Sequence, residues 1–151
     1  MRSCFFIFEE KNINAVTVFL HSYCDESFEE IQWNILKNGD GLFYIRIYPA
    51  EELFIYIEDK SYFYKLSNMQ YPLLYCQVDI SGRHDGTPEI RRLLTQLFSK
   101  VRGYAMDDYT DYFWTHKEIY NNVLIEGHRF FDYLGWYEEN TFKRKNNTPL
   151  T

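Results

Sequence analysis

Apolar and polar positions change period several times along this chain, and each change marks an element. Phe5-Phe6-Ile7-Phe8 is a continuous apolar run, short enough for a buried strand. Ile13, Val16, Phe19, Leu20 and Tyr23 then recur at helical spacing behind Asn12, a good N-cap. This predicts a helix over 12–23, ended by the polar Asp25-Glu26-Ser27. Next, Ile31, Trp33 and Ile35 alternate with Glu30, Gln32 and Asn34, the period of a half-wet strand. Asn38-Gly39-Asp40-Gly41 is a turn signal, since Asn and Gly accept positive φ. Phe43, Ile45 and Ile47 alternate with Tyr44, Arg46 and Tyr48, and after Pro49 the run Leu53 to Ile57 reads as a further strand. Together these segments predict an antiparallel meander.

The second half is more helical. A short helix is expected from Asp59, with Tyr62, Phe63 and Leu66 on one face. Pro72 opens a strand in which Leu74, Cys76, Val78 and Ile80 point one way and Tyr75, Gln77 and Asp79 the other. Thr87 and Pro88 suit an N-cap and first helical position. Ile90, Leu93, Leu94, Leu97 and Val101 form one apolar stripe, with Arg102 and Gly103 at the C-terminal end. Thr115-His116-Lys117-Glu118 fits a capping box. Phe130-Phe131 and Gly135-Trp136-Tyr137 should pack on the body, and the polar, basic 140–151 is expected to fray. No repeat or linker divides the chain. The expectation is one α+β domain over 1–151, a largely antiparallel sheet packed against two or more amphipathic helices.

Composition narrows the class. At 151 residues, one domain that buries a sizeable core is the natural count. Aromatic residues make up 20%, a high share, which suits a Phe-rich core and equally a contact face built from Tyr and Trp. The formal charge of −6 argues against nucleic acid and for a basic partner. Cys4, Cys24 and Cys76 are odd in number and form no CxxC pair, so reduced, part-buried thiols are expected. The N-terminal apolar run is too short for a signal peptide, and no stretch is long enough for a membrane span; the cytoplasm is the expected compartment.

Two segments invite chemistry. Asp79-Ile80-Ser81-Gly82-Arg83-His84-Asp85-Gly86 lies between a strand and a helix N-terminus, a common ligand position. It carries no glycine-rich phosphate-binding fingerprint. Arg83, His84 and Asp85 offer an acid–base set; the plainer reading is a solvated loop whose aspartates bond backbone amides. The second segment, Tyr104 to His116, contains Asp107, Asp108, Asp111 and His116 without any Lys or Arg. The spacing matches neither an EF-hand nor HExxH, so no metal and no cofactor are expected. A structural loop with capping aspartates and an acidic, aromatic contact surface both remain open. His21 and His128 read as structural, and no GxSxG, SxxK or Cys–His nucleophile motif is present.

The stretches Asp79 to Gly86 and Gly103 to Ile119 resemble small bacterial immunity proteins, the partners of secreted polymorphic toxins of contact-dependent and Rhs-type systems. The resemblance covers about a quarter of the chain. It implies a protein that binds its toxin and blocks the toxin's active site, with no catalytic residues of its own to carry over. The expected function is therefore toxin neutralisation in the cytoplasm, with a cognate, basic protein toxin as partner and neither nucleic acid nor membrane. A nuclease is the natural guess for the toxin, because its cleft must be positive. The expected contact residues are Asp107, Asp108, Tyr109, Asp111 and Tyr112, with Asp85 nearby. An adaptor or phage-related interaction module is the alternative. A small enzyme using the 79–85 loop or the 107–116 segment is the third class.

Overall fold

Cys4, Phe6 and Phe8 fall on one side of the first strand and Phe5 and Ile7 on the other, and both sides are covered by packed apolar groups. That doubly buried strand organises the computed structural model, which describes residues 2–136. It is β1 (Arg2–Glu9), followed by α1 (Ile13–Tyr23), β2 (Glu26–Phe28), β3 (Gln32–Lys37), β4 (Asp40–Pro49), α2 (Ala50–Phe54), β5 (Leu73–Ile80), α3 (Thr87–Lys100), β6 (Gly103–Asp107) and α4 (His116–Tyr120). The strands form one six-stranded sheet in the order β2-β3-β4-β5-β1-β6, antiparallel at every junction. This is an α+β domain.

One face of the sheet carries α1 and α3. Val16, Phe19 and Leu20 of α1 and Ile90, Leu93, Leu94 and Leu97 of α3 pack with Phe6, Phe8, Phe43, Ile45, Cys76, Val78 and Ile80. The opposite face is covered more thinly. Leu53 of α2, Ile57, and Leu66 from a 3-10 segment over Lys60–Asn68 meet Ile7, Leu73, Tyr75, Met106 and Phe113. The free cysteines sit as expected, Cys4 and Cys76 buried and Cys24 half-buried. Burial pushes all three thiols up, Cys24 to about 12, which disfavours the reactive thiolate.

Several local expectations change. Leu53 to Ile57 is no strand. Pro49 sets the N-cap, Glu51 and Glu52 favour the positive end of a helix, and Ala50 and Leu53 bury one face of α2. The 12–23 helix forms, but Asn12 makes no side-chain cap. The α3 N-cap is Gly86 at φ 73°, and Thr87 instead donates its hydroxyl to Asp85 at 2.8 Å. Gly103 does not close a helix. It lies in β6, where a Cβ would sit 2.3 Å from the carbonyl oxygen of Ile7, so close pairing with β1 requires glycine. The turn reading holds: Lys37 pairs with Asp40 across Asn38 (φ 54°) and Gly39 (φ 79°), a two-residue hairpin loop with both residues left-handed. The capping box at Thr115 and Glu118 is formed. The 140–151 tail lies outside the described residues.

Candidate functional site

The thin cover on the second face leaves a cleft of about 460 Å³. Its floor is the outward side of β1 and β5: Phe5, Tyr75 and Gln77. The period of two puts these residues on one face and the core residues Phe6 and Cys76 on the other. One wall is α2 and the chain after it, with Glu52, Leu53, Tyr56, Ile57 and Asp59. The other wall is Met106 through Asp111, and Glu126 also lines the space. Among the described residues, neither lysine nor arginine lines it. Phe5 meets Tyr75 edge-on at 5.9 Å, and Tyr75 lies 5.5 Å from Tyr48, so the floor is a set of rings. Tyr56 is 80% exposed and Ile55 77%, and both stand on the chain that leaves α2. Burial first, then the carboxylate of Glu52, pushes the Tyr75 phenol up to about 12.

The acidic residues serve different ends. Asp107 is 4% exposed and is a brace. In the register of β6 it pairs with Cys4, which places its side chain on the helical face. There Oδ1 accepts the N–H groups of Tyr109 and Thr110 at 3.1 and 3.2 Å, and Oδ2 accepts that of Phe131 at 2.7 Å. Burial pushes this carboxyl up to about 6, against the three N–H bonds. Asp111 Oδ2 accepts the N–H groups of Glu58 and Asp59 and so ties the two walls together. Asp108 accepts the N–H of Ser3, and burial raises its carboxyl. Asp59 Oδ1 is occupied by the N–H and hydroxyl of Ser61. Glu52 has no hydrogen-bond or ionic partner among the described residues.

The expected contact set is therefore divided. Asp108, Tyr109 and Asp111 do line the cleft. Asp107 also borders the cleft, but its carboxylate is turned into the interior, and Tyr112 does not line it. Tyr112 is buried, donates to Glu118, accepts from Lys65 Nζ at 2.7 Å and lies under that ammonium, 3.9 Å from the ring centroid. Burial and the Glu118 carboxylate raise its phenol. Tyr109 packs its ring on Phe131 at 5.9 Å and on Trp136 at 6.2 Å, which leaves it half-buried. Asp85 lines a different depression with Arg2, Arg83, His84, Tyr133 and Leu134. The acid–base set proposed there is not assembled: His84 Nε2 and the Arg83 guanidinium both turn to Asp40, at 3.0 and 2.8 Å.

Sequence reasoning missed Tyr56, because it read Leu53 to Ile57 as a strand; it also missed Glu52 just before that run, Asp59, which it took as the start of a short helix, and Glu126. It found the outward face of β5 without assigning it a use. No group of three or more His, Cys, Asp or Glu is placed to hold a metal ion among the described residues, and no helix among them is long and apolar enough to cross a membrane. Compared with protein-family models, curated proteins and solved structures, the chain matches none.

Proposed function

We propose that this chain is a binding protein that neutralises a basic protein toxin in the bacterial cytoplasm, with the cleft on the second face of its sheet as the contact site. The observation that carries this reading is the cleft itself: carboxylates on its walls, rings on its floor, and no cationic side chain among the described residues that line it. Carboxylates steer a positive partner toward the surface and disfavour a negative one. Aromatic rings supply buried area at low conformational cost. The resemblance of the 79–86 and 103–119 stretches to toxin-immunity proteins, together with the charge of −6, agrees with this chemistry.

The test is co-expression with the product of the neighbouring gene. Cells that carry the neighbour alone should die, and cells that carry both should grow, with the two proteins co-purifying as a defined complex. A neighbour that is harmless, or one that kills regardless of this chain, overturns the reading.

A further inference from the structure

The cleft combines two features that rarely suit the same guest, an apolar ring floor and an acidic rim. We propose that it receives an arginine side chain carried on a loop of a basic protein partner. This rests on the reading of the chain as a module that binds a basic protein, and it names the group that enters.

Charge complementarity argues for the occupant. Glu52 has no hydrogen-bond or ionic partner among the described residues, and it lines the cleft together with Asp59, Asp108 and Asp111. A cation entering the cleft meets several carboxylates. Size agrees as well. A volume of about 460 Å³ admits one long side chain with its flanking backbone and not a folded element. Ring chemistry then separates arginine from lysine. A guanidinium is planar and weakly hydrated, stacks on aromatic faces and forks its N–H groups to carboxylates, whereas an ammonium keeps its water. The half-buried ring of Phe5, backed edge-on by the buried Tyr75, supplies the floor for such a plane, and Tyr56, free of the core, can close over it.

The experiment is calorimetric titration of the full chain, at low ionic strength, with pentaarginine amide and pentalysine amide. Pentaarginine should bind at least about fivefold tighter than pentalysine. Glu52→Gln and Tyr56→Ala, both at exposed positions, should each weaken pentaarginine about fivefold, with melting temperatures unchanged. Glu29→Gln, an exposed carboxylate in the β2–β3 turn, should leave binding as it was. Equal affinity for the two peptides, binding of neither, or equal weakening by Glu29→Gln and Glu52→Gln overturns the proposal. Cell protection separates it from the reading on which it rests. Arginine-selective binding without protection keeps the arginine site and removes toxin neutralisation. Full protection by the Glu52→Gln/Tyr56→Ala double variant keeps neutralisation and removes the arginine site.

Discussion

The carboxylate of Asp111 accepts the backbone N–H of Asp59 at 2.9 Å and joins two walls that are 52 residues apart in the chain. The same oxygen takes the N–H of Glu58 at 3.2 Å. Such charge-assisted bonds fix the width of the cleft. Asp111→Ala should therefore cost about 1–2 kcal/mol in urea unfolding, since two amides lose their acceptor and must turn to water. Asp111→Asn keeps an acceptor oxygen and should lose less than half of that. Equal losses from the two variants would mean that charge, and not the shared acceptor, sets the stability here.

Leu97 tests the core independently of the cleft. It is fully buried in the layer between α3 and the sheet, one turn from Leu93 and Leu94. Leu97→Ala leaves a cavity on top of the lost transfer energy, about 2–5 kcal/mol in all. Equilibrium denaturation with an unchanged m-value measures it. A loss below about 0.5 kcal/mol would show that the helix repacks and closes the gap.

Asp107 and Glu118 should pull stability in opposite directions with pH. Burial raises Asp107 to about 6, above its ordinary 3.8. The fold thus favours its protonated form. Its contribution is full below about pH 4 and is lost as pH rises through about 6, on the order of 3 kcal/mol across the window. Glu118 goes the other way. Burial raises it, but hydrogen bonds from Tyr112 and Thr115 and the charge of Lys65 outweigh burial and hold it below its ordinary 4.5. Its contribution is present above that value and is lost as pH falls through the lowered one. Side-chain carboxyl NMR should give a midpoint near 6 for Asp107 and one below 4.5 for Glu118. A midpoint near 4 for Asp107 would mean that its three N–H bonds win over burial.

How far the sequence showed this architecture depends on the range of each interaction. The α3 stripe, the Asn38-Gly39 turn and the Thr115 capping box were legible because each is decided within one or two turns of chain. The β6 strand was not. Gly103-Tyr104-Ala105-Met106-Asp107 has no clean alternation, and its pairing partner is β1, about a hundred residues upstream. Read alone, its Asp107 looked like part of an acidic surface, whereas pairing with Cys4 turns it inward. The run Leu53 to Ile57 was misread because aromatic and β-branched residues favour strands, while the decisive signals, Pro49 and the acidic first turn, lie just before it. That error hid Tyr56. The cleft as a whole was illegible, because its lining comes from residues between Phe5 and Glu126 that only the sheet order brings together.

If the cleft is the contact site, the kinetics of association should divide its residues by depth. Glu52 is exposed on the rim, where its charge acts at a distance and is screened by salt. Glu52→Gln should lower the on-rate for the basic partner a few-fold at low ionic strength and have a smaller effect near 150 mM salt. Tyr56 is 80% exposed in the free chain, and a partner seated in the cleft would bury its ring. Tyr56→Ala should leave the on-rate nearly unchanged and raise the off-rate by about tenfold or more, as loss of a central aromatic anchor does. Asp107→Ala belongs to neither class. It strands three N–H groups in the interior, so its effect should appear first as a lower melting temperature. Surface plasmon resonance across a salt series, beside thermal melts of each variant, resolves the three behaviours. An on-rate that does not change with salt in the unmodified chain would remove electrostatic steering. A salt-dependent on-rate that Glu52→Gln leaves intact would move the steering charges away from this cleft.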